Sequence, residues 1–200
     1  PAGQSIDSLA DLKGKRVGIA QAGSGTQVAV LQMLDAWGVN RDNMDEAELN
    51  NSQSAERLAD GQIDAYFYAA GWPVAAMVQL SSTKGMALHS FTDDDLAKIN
   101  GIIPAYIPSE IPGGVYEGVD SAVKTPAVSA LLNVSSELSE ELVYNITKAL
   151  WNDSTRKMLD NGHAKGKQIT PDTALNGIEA LGVPLHAGAE KFYREAGLLK

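Results

Sequence analysis

The stretch Arg16-Val17-Gly18-Ile19-Ala20-Gln21-Ala22-Gly23-Ser24-Gly25-Thr26 decides how the rest of the chain is read. Residues 16–20 follow the polar turn Leu12-Lys13-Gly14-Lys15 and read as a strand. Residues 21–25 form a glycine-containing loop. From Thr26 to Trp37 the apolar positions Val28, Leu31, Met33, Leu34 and Trp37 recur near a 3.6-residue period, which predicts a helix. Gly38 stands where a helix-ending glycine belongs. Strand, loop and helix in that order open a βα unit on a parallel sheet.

The pattern repeats outward from there. Residues 46–49, 63–68 and 86–91 read as further strands. Ser52 is a candidate N-cap for a helix through Leu58, and Pro73 suits the first turn of the next helix, where no N–H is needed. Asp93, Asp94 and Asp95 place three carboxylates at the positive end of a short helix. Near Gly101 the texture changes. Residues 102–107 form an extended run, and Ala127 to Val134 reads as a buried strand. Helices are expected from Ser139 as far as Leu159, from Thr170-Pro171 to Gly182 with Leu175, Ile178 and Leu181 inward, and over residues 186–196. The expected division is residues 1–107 as a complete α/β lobe with its hinge strands, and residues 108–200 as a helix-rich part of a second lobe.

Composition narrows the function. The chain has 200 residues and no cysteine, so disulfides, thiolate metal sites and cysteine nucleophiles are excluded. Its three histidines, at 89, 163 and 186, are too scattered for a histidine-rich metal site. Sixteen Lys and Arg against 25 Asp and Glu give a net charge of −9, which argues against nucleic acid as a partner. No apolar run approaches the roughly 20 residues that a bilayer needs. The chain starts at Pro1 without a signal-like apolar region and is expected to be a processed or truncated product.

Three loops are candidate binding elements. The loop at 20–26 would present free main-chain N–H groups and a helix dipole to an anion, with Ser24 and Thr26 adding hydroxyls and Gly25 letting a ligand approach. A plain glycine turn capped by Thr26 explains it equally well. It lacks the lysine of a Walker loop, and Val28 stands where a dinucleotide site has its third glycine. The second loop runs Ala69-Ala70-Gly71-Trp72-Pro73. Gly71 and Trp72 read as a pocket wall, whereas Tyr66 reads as packing. In the third, residues 111–118, Tyr116 is placed to reach into a cleft unless the loop is a solvent crossover. No catalytic residue is assigned: Ser24 lacks the glycine at position 22 that a hydrolase elbow needs, and no histidine sits near the loops at a recognisable spacing.

Longer motifs carry a resemblance. Lys13-Gly-Lys-Arg-Val-Gly-Ile-Ala with Ala22-Gly-Ser-Gly-Thr, then Leu58-Ala-Asp-Gly-Gln-Ile-Asp-Ala with Ala70-Gly-Trp-Pro, resemble the TAXI-type solute-binding proteins of tripartite ATP-independent periplasmic (TRAP) transporters. Ile111-Pro-Gly-Gly-Val-Tyr-Glu-Gly and the ending from Pro184 to Leu199 are similar too. The resemblance implies a type II periplasmic-binding-protein-like α/β fold, with one complete lobe and the C-terminal part of a second. It implies an extracytoplasmic, periplasmic binding protein without cofactor or catalysis, freed of its signal peptide and monomeric. Such a protein carries a small organic anion, glutamate or a dicarboxylate, to a TRAP membrane subunit. Carried over by position, Ser24, Gly25 and Thr26 would donate to the ligand, Gly71 and Trp72 would line the other side, and Tyr116 would reach in. The alternatives are the binding subunit of an ATP-driven ABC importer of the nitrate, sulfonate or thiamine-precursor type, and an anion-binding α/β enzyme.

Overall fold

The structure is a computed structural model that describes residues 1, 3, 6–176, 178 and 182–199. The described residues divide into two units, Pro1–Ala127 and Val128–Lys200. The boundary therefore falls after Ala127 rather than between residues 107 and 108. The reason is a hairpin: β4 (Ile107–Ile111) pairs antiparallel with β5 (Val123–Ala127), and the ladder holds residues 108–127 in the first unit.

In the first unit the centre strand is β1 (Arg16–Gly18), shorter than the expected 16–20. Val17 and Ile19 are fully buried. Strands β2 (Asp45–Ala47) and β3 (Ala65–Tyr66) flank it in parallel, in the order β2-β1-β3. Gly18 is where the sheet is tightest. A Cβ there would lie 2.8 Å from the Tyr66 Cβ and 3.2 Å from the Ser54 hydroxyl, so only glycine lets β3 come alongside.

Helix α1 (Gly25–Ala36) covers this sheet with Ala29, Val30, Met33 and Leu34. Of the expected stripe, Met33 and Leu34 enter the core, Leu31 and Trp37 only flank it, and Val28 is 54% exposed. Helix α2 (Asn51–Ala59) is capped by Asn50, not Ser52. The Asn50 side chain accepts from the Gln53 N–H, and the Gln53 side chain accepts from the Asn50 N–H. Helix α3 spans Ala75–Thr83, so Pro73 lies ahead of its first turn. Helix α4 (Asp93–Ile102) starts at the three aspartates with a Thr92–Asp95 capping box, and it takes in Ile102, the first residue of the expected extended run.

One expected strand does not join any sheet. Residues 86–91 run without turn or bend, but the Phe91 N–H, donating to Lys124 O at 3.1 Å, is the run's one main-chain hydrogen bond among the described residues. Apolar alternation was present there, and a neighbouring strand was not.

The second unit has no strand among its described residues. Ala127–Val134, expected to be buried strand, is irregular beyond Ala127, and Leu132 is 68% exposed. Helix α5 (Glu140–Leu150) is capped by Ser139 as expected. It stops at Trp151, because Asn152 accepts from the Thr155 N–H and starts α6 (Asp153–Gly162) instead of letting one helix run to Leu159. Of the helix expected from residue 171 to 182, a short 3₁₀ turn at Pro171–Thr173 is seen, and Leu181 lies outside the described residues. Helix α7 (Ala187–Glu195) packs on α5 through Gly188, where any Cβ would collide with Glu140 O and, at 2.6 Å, with Tyr144 N.

Candidate functional site

The carboxyl ends of β1 and β3 carry the first two candidate loops. Ala20, the residue after the β1 strand and its Ile19 extension, has φ +71°, a left-handed conformation that a non-glycine residue adopts only at a cost of about 1–2 kcal/mol. It turns the chain sharply into the loop. Ser24 then caps α1 by accepting from the Gln27 N–H at 3.1 Å. The Gln27 side chain folds back, its Oε1 accepting from the Gly23 N–H at 2.8 Å and its Nε2 donating to Glu48 at 2.8 Å.

What remains open is specific. The N–H groups of Gly25 and Thr26, and the Thr26 hydroxyl, find no partner among the described residues. Ser24 accepts one bond, and its hydroxyl still has a proton to give. A helix start leaves such donors pointing outward at the positive end of its dipole. The corner therefore offers dipoles without a cation. Beyond Gln27 lies a charged cluster, in which Arg41 is 3.0 Å from Glu46 and 3.7 Å from Glu48. Gln27 separates that cluster from the corner. Neither Gln27 nor Ala20 stood out in the sequence: glutamine at the third helical position is ordinary, and only its two partners show its part.

The second and third loops meet each other. Tyr116 is 2% exposed, and its hydroxyl accepts from the Val74 N–H at 3.0 Å, just beyond the Trp72-Pro73 turn. Burial pushes the Tyr116 hydroxyl pKa up, partly offset by that N–H. Trp72 and Tyr116 both line a cavity of about 550 Å³ in the first unit. Ser24, Gly25, Thr26 and Gly71 do not line it. The six candidates thus fall into two groups: an open corner at 24–26, and an aromatic turn at 72 and 116 over a cavity.

Apolar residues dominate the cavity wall, among them Leu9, Leu12, Leu58, Met77 and Met86. Polar side chains interrupt that wall at Asp64, His89 and Thr125. The Tyr66 hydroxyl is buried with no hydrogen-bond partner among the described residues, and its pKa is pushed up to about 12, chiefly by burial. At the opposite end of the sheet, Arg16 grips Asp64 through two side-chain hydrogen bonds of 3.1 and 2.7 Å and holds its carboxyl below the ordinary carboxylate range. Among the described residues, no cluster of three or more metal-ligating side chains occurs, and no helix is long and apolar enough to cross a membrane.

Comparison with known proteins corrects the expected family. The pattern of the NMT1-like family matches residues 2–197. Among solved structures, the alkanesulfonate-binding protein SsuA from Xanthomonas axonopodis pv. citri, bound to MOPS, aligns with a TM-score of 0.43 at 17% identity. That alignment covers 100% of this chain and 64% of that chain. The NMT1-like match overturns the reading of the chain as a TAXI-type TRAP subunit, and with it the glutamate or dicarboxylate ligand and the TRAP membrane partner. The broader expectation of an α/β fold with a parallel sheet stands.

Proposed function

Because the chain belongs to the NMT1-like family, we propose that it is the non-catalytic, extracytoplasmic solute-binding component of an ATP-driven importer of the ABC type, carrying a small oxyanion of the nitrate or sulfonate kind. One observation carries the ligand class: the N–H groups of Gly25 and Thr26 and the Thr26 hydroxyl are unpartnered at the start of a helix, with the Ser24 hydroxyl beside them. Oxyanion oxygens accept several such bonds at once, and main-chain amides at a helix start supply them without a lysine or arginine. These donors do not titrate near neutral pH, so binding is expected to change little between about pH 5 and 9. Gly71, Trp72 and Tyr116 stay outside the proposed site, Tyr116 supporting the second turn through the Val74 N–H. In this reading the first unit is the inserted lobe and the second is the C-terminal part of its companion.

The test is calorimetric titration of the natural polypeptide with nitrate, ethanesulfonate and MOPS, next to a thiamine-precursor pyrimidine. Binding of an oxyanion, weakened by about 1–3 kcal/mol in Thr26→Ala, is the expected result. Binding of the pyrimidine alone, or an oxyanion affinity that Thr26→Ala leaves unchanged, removes the corner from the ligand site.

A further inference from the structure

We propose that His186 is a proton-sensitive latch within the second unit: the neutral ring ties the first turn of α7 to the approach to α5, and uptake of a proton releases it. The ring uses both of its nitrogens. The Gly188 N–H donates to Nδ1 at 3.2 Å, and Nε2 lies 3.1 Å from Leu138 O. An amide N–H only donates and a carbonyl oxygen only accepts, so Nε2 carries the proton and Nδ1 has none. The neutral Nε2–H form is the one state of histidine that meets both demands. The imidazolium has a proton on each nitrogen and sets Nδ1–H against the Gly188 N–H.

The place of the ring makes that loss count. Nδ1 is the side-chain cap of α7, and Leu138 directly precedes Ser139, the cap of α5. The positive ends of two helix dipoles therefore lie at the latch, and both disfavour a cation there. Gly188 is also where α7 sits against the α5 main chain with no room for a Cβ, so a change in its turn is a change in the seam between the two helices. The charged groups on the packed segments are Glu137 before α5, Glu140 and Glu141 in its first turn, and Glu190, Lys191 and Arg194 on α7. Lys191 holds Glu140 at 3.1 Å, and Arg194 holds Glu190 at 2.8 Å. Carboxylates nearby favour a charged ring, but none takes the place of Nδ1 as acceptor for the Gly188 N–H.

Capping alone does not call for a histidine. Ser24, Asn50, Thr92, Ser139 and Asn152 cap other helices with groups that do not titrate near neutral pH, and such residues are the favoured caps. His163 repeats the arrangement in the same unit: its Nδ1 accepts from the Lys165 N–H at 3.1 Å and caps the 3₁₀ turn Ala164–Gln168. His89, in the first unit, is built the other way. Its Nδ1 lies 2.6 Å from Ile6 O and so carries the proton, and a second proton on Nε2 leaves that bond in place. Acid therefore acts on the second unit, while the oxyanion corner in the first keeps its donors. The latched state binds fewer protons than the released one. Its stabilisation is present above the range in which imidazole charges, near pH 6.5, and fades as the pH falls through it.

Nitrogen-15 NMR of the full natural polypeptide reads the ring, and hydrogen exchange reads the helix; neither depends on the solute. At about pH 7.5 the His186 ring is expected in the neutral Nε2–H form. Between about pH 7.5 and about pH 5 the α7 amides are expected to lose about tenfold in protection, corrected for the intrinsic pH dependence of exchange, while α1 keeps its own. His186→Asn caps without titrating and should hold α7 protection constant over that range. A ring found in the Nδ1–H form at the higher pH overturns the proposal. So does α7 protection that stays constant in the natural protein, or a loss that is equal in α1 or in His186→Asn.

Discussion

The two turns that leave the sheet's carboxyl edge differ in the side chains that close them. After β1, the chain turns at Ala20, caps its helix with Ser24, and leaves the Gly25 and Thr26 N–H groups unused. After β3, the Trp72-Pro73 turn leads into α3, and the Val74 N–H is already taken by a tyrosine from another loop. Both turns are rich in small residues and both precede helices. The first turn is closed by its own Ser24 and Gln27, the second by a tyrosine from elsewhere. Because α3 has no side-chain cap, both helix starts keep unspent N–H groups, and what sets the corner at 24–26 apart is the pair of hydroxyls, Ser24 and Thr26, beside them.

Tyr116 gives the sharpest way to break that contrast. Replacing Tyr116 with Ala empties a buried aromatic site and strips the Val74 N–H of its acceptor, so stability should fall by about 3–5 kcal/mol in chemical denaturation. Tyr116→Phe keeps the ring and loses only the acceptor, for a cost of about 1–3 kcal/mol. If Tyr116→Phe left stability unchanged and lowered oxyanion affinity instead, the second turn would be a ligand contact, and the two turns would be alike.

The open corner is probed next by Gln27→Glu. The glutamine Oε1 accepts from the Gly23 N–H while its Nε2 faces Glu48. A second carboxylate there adds like charge beside both Glu48 and the bound anion. Oxyanion affinity should drop on the order of 100-fold at low salt, and the loss should shrink as salt is added. Titration calorimetry at two ionic strengths reads both effects. A salt-independent loss would mean that the substitution merely distorts the helix start.

How much of this was legible in the sequence follows from the range of each interaction. Local signals were read well: the strand at Val17, the loop around Gly23, the Asp93 helix start and the Ser139 cap all rest on residues a few positions apart. Residues 86–91 and 128–134 carried strand-like composition, but a strand needs a neighbour, and no local pattern announces one. The sequence places Tyr116 to reach into a cleft, but its bond to the Val74 N–H spans 42 positions and no local pattern shows it. Gln27 and Glu48 are likewise joined across 21. The corner itself was visible because glycine and hydroxyl residues at a strand-to-helix turn have a short-range meaning. Which of its donors were already used was not.

Ser24→Ala measures how far capping and binding share one hydroxyl. Losing the bond to the Gln27 N–H should destabilise the chain by about 1 kcal/mol, as N-cap losses do. Oxyanion affinity should fall as well, because the same hydroxyl has a proton left for the ligand. Ser24→Asp separates the two: the carboxylate caps the helix and repels the anion, so stability is kept while affinity is lost. Retained affinity in Ser24→Asp would confine Ser24 to its capping bond.

The smallest effect is expected at the sheet's amino end, which serves as the control for both turns. Asp64 accepts from the Arg16 main-chain N–H at 2.9 Å and from its guanidinium, and its carboxyl pKa lies below the ordinary value, the guanidinium hydrogen bond being the largest cause. A lowered folded-state pKa means that the folded state favours the charged form. The contribution is present above the unfolded carboxylate pKa, near 4, and is lost as the pH falls through the lower folded value. Asp64→Asn should therefore lower the thermal midpoint slightly at pH 7 and not at all at a pH below both values. Oxyanion affinity should stay unchanged throughout, because the pair lies at the opposite end of β1 from the corner. A midpoint difference that persisted in strong acid would assign the effect to the uncharged hydrogen bonds of Asp64. An altered affinity would mean that strain at one end of β1 reaches the Ala20 turn at the other.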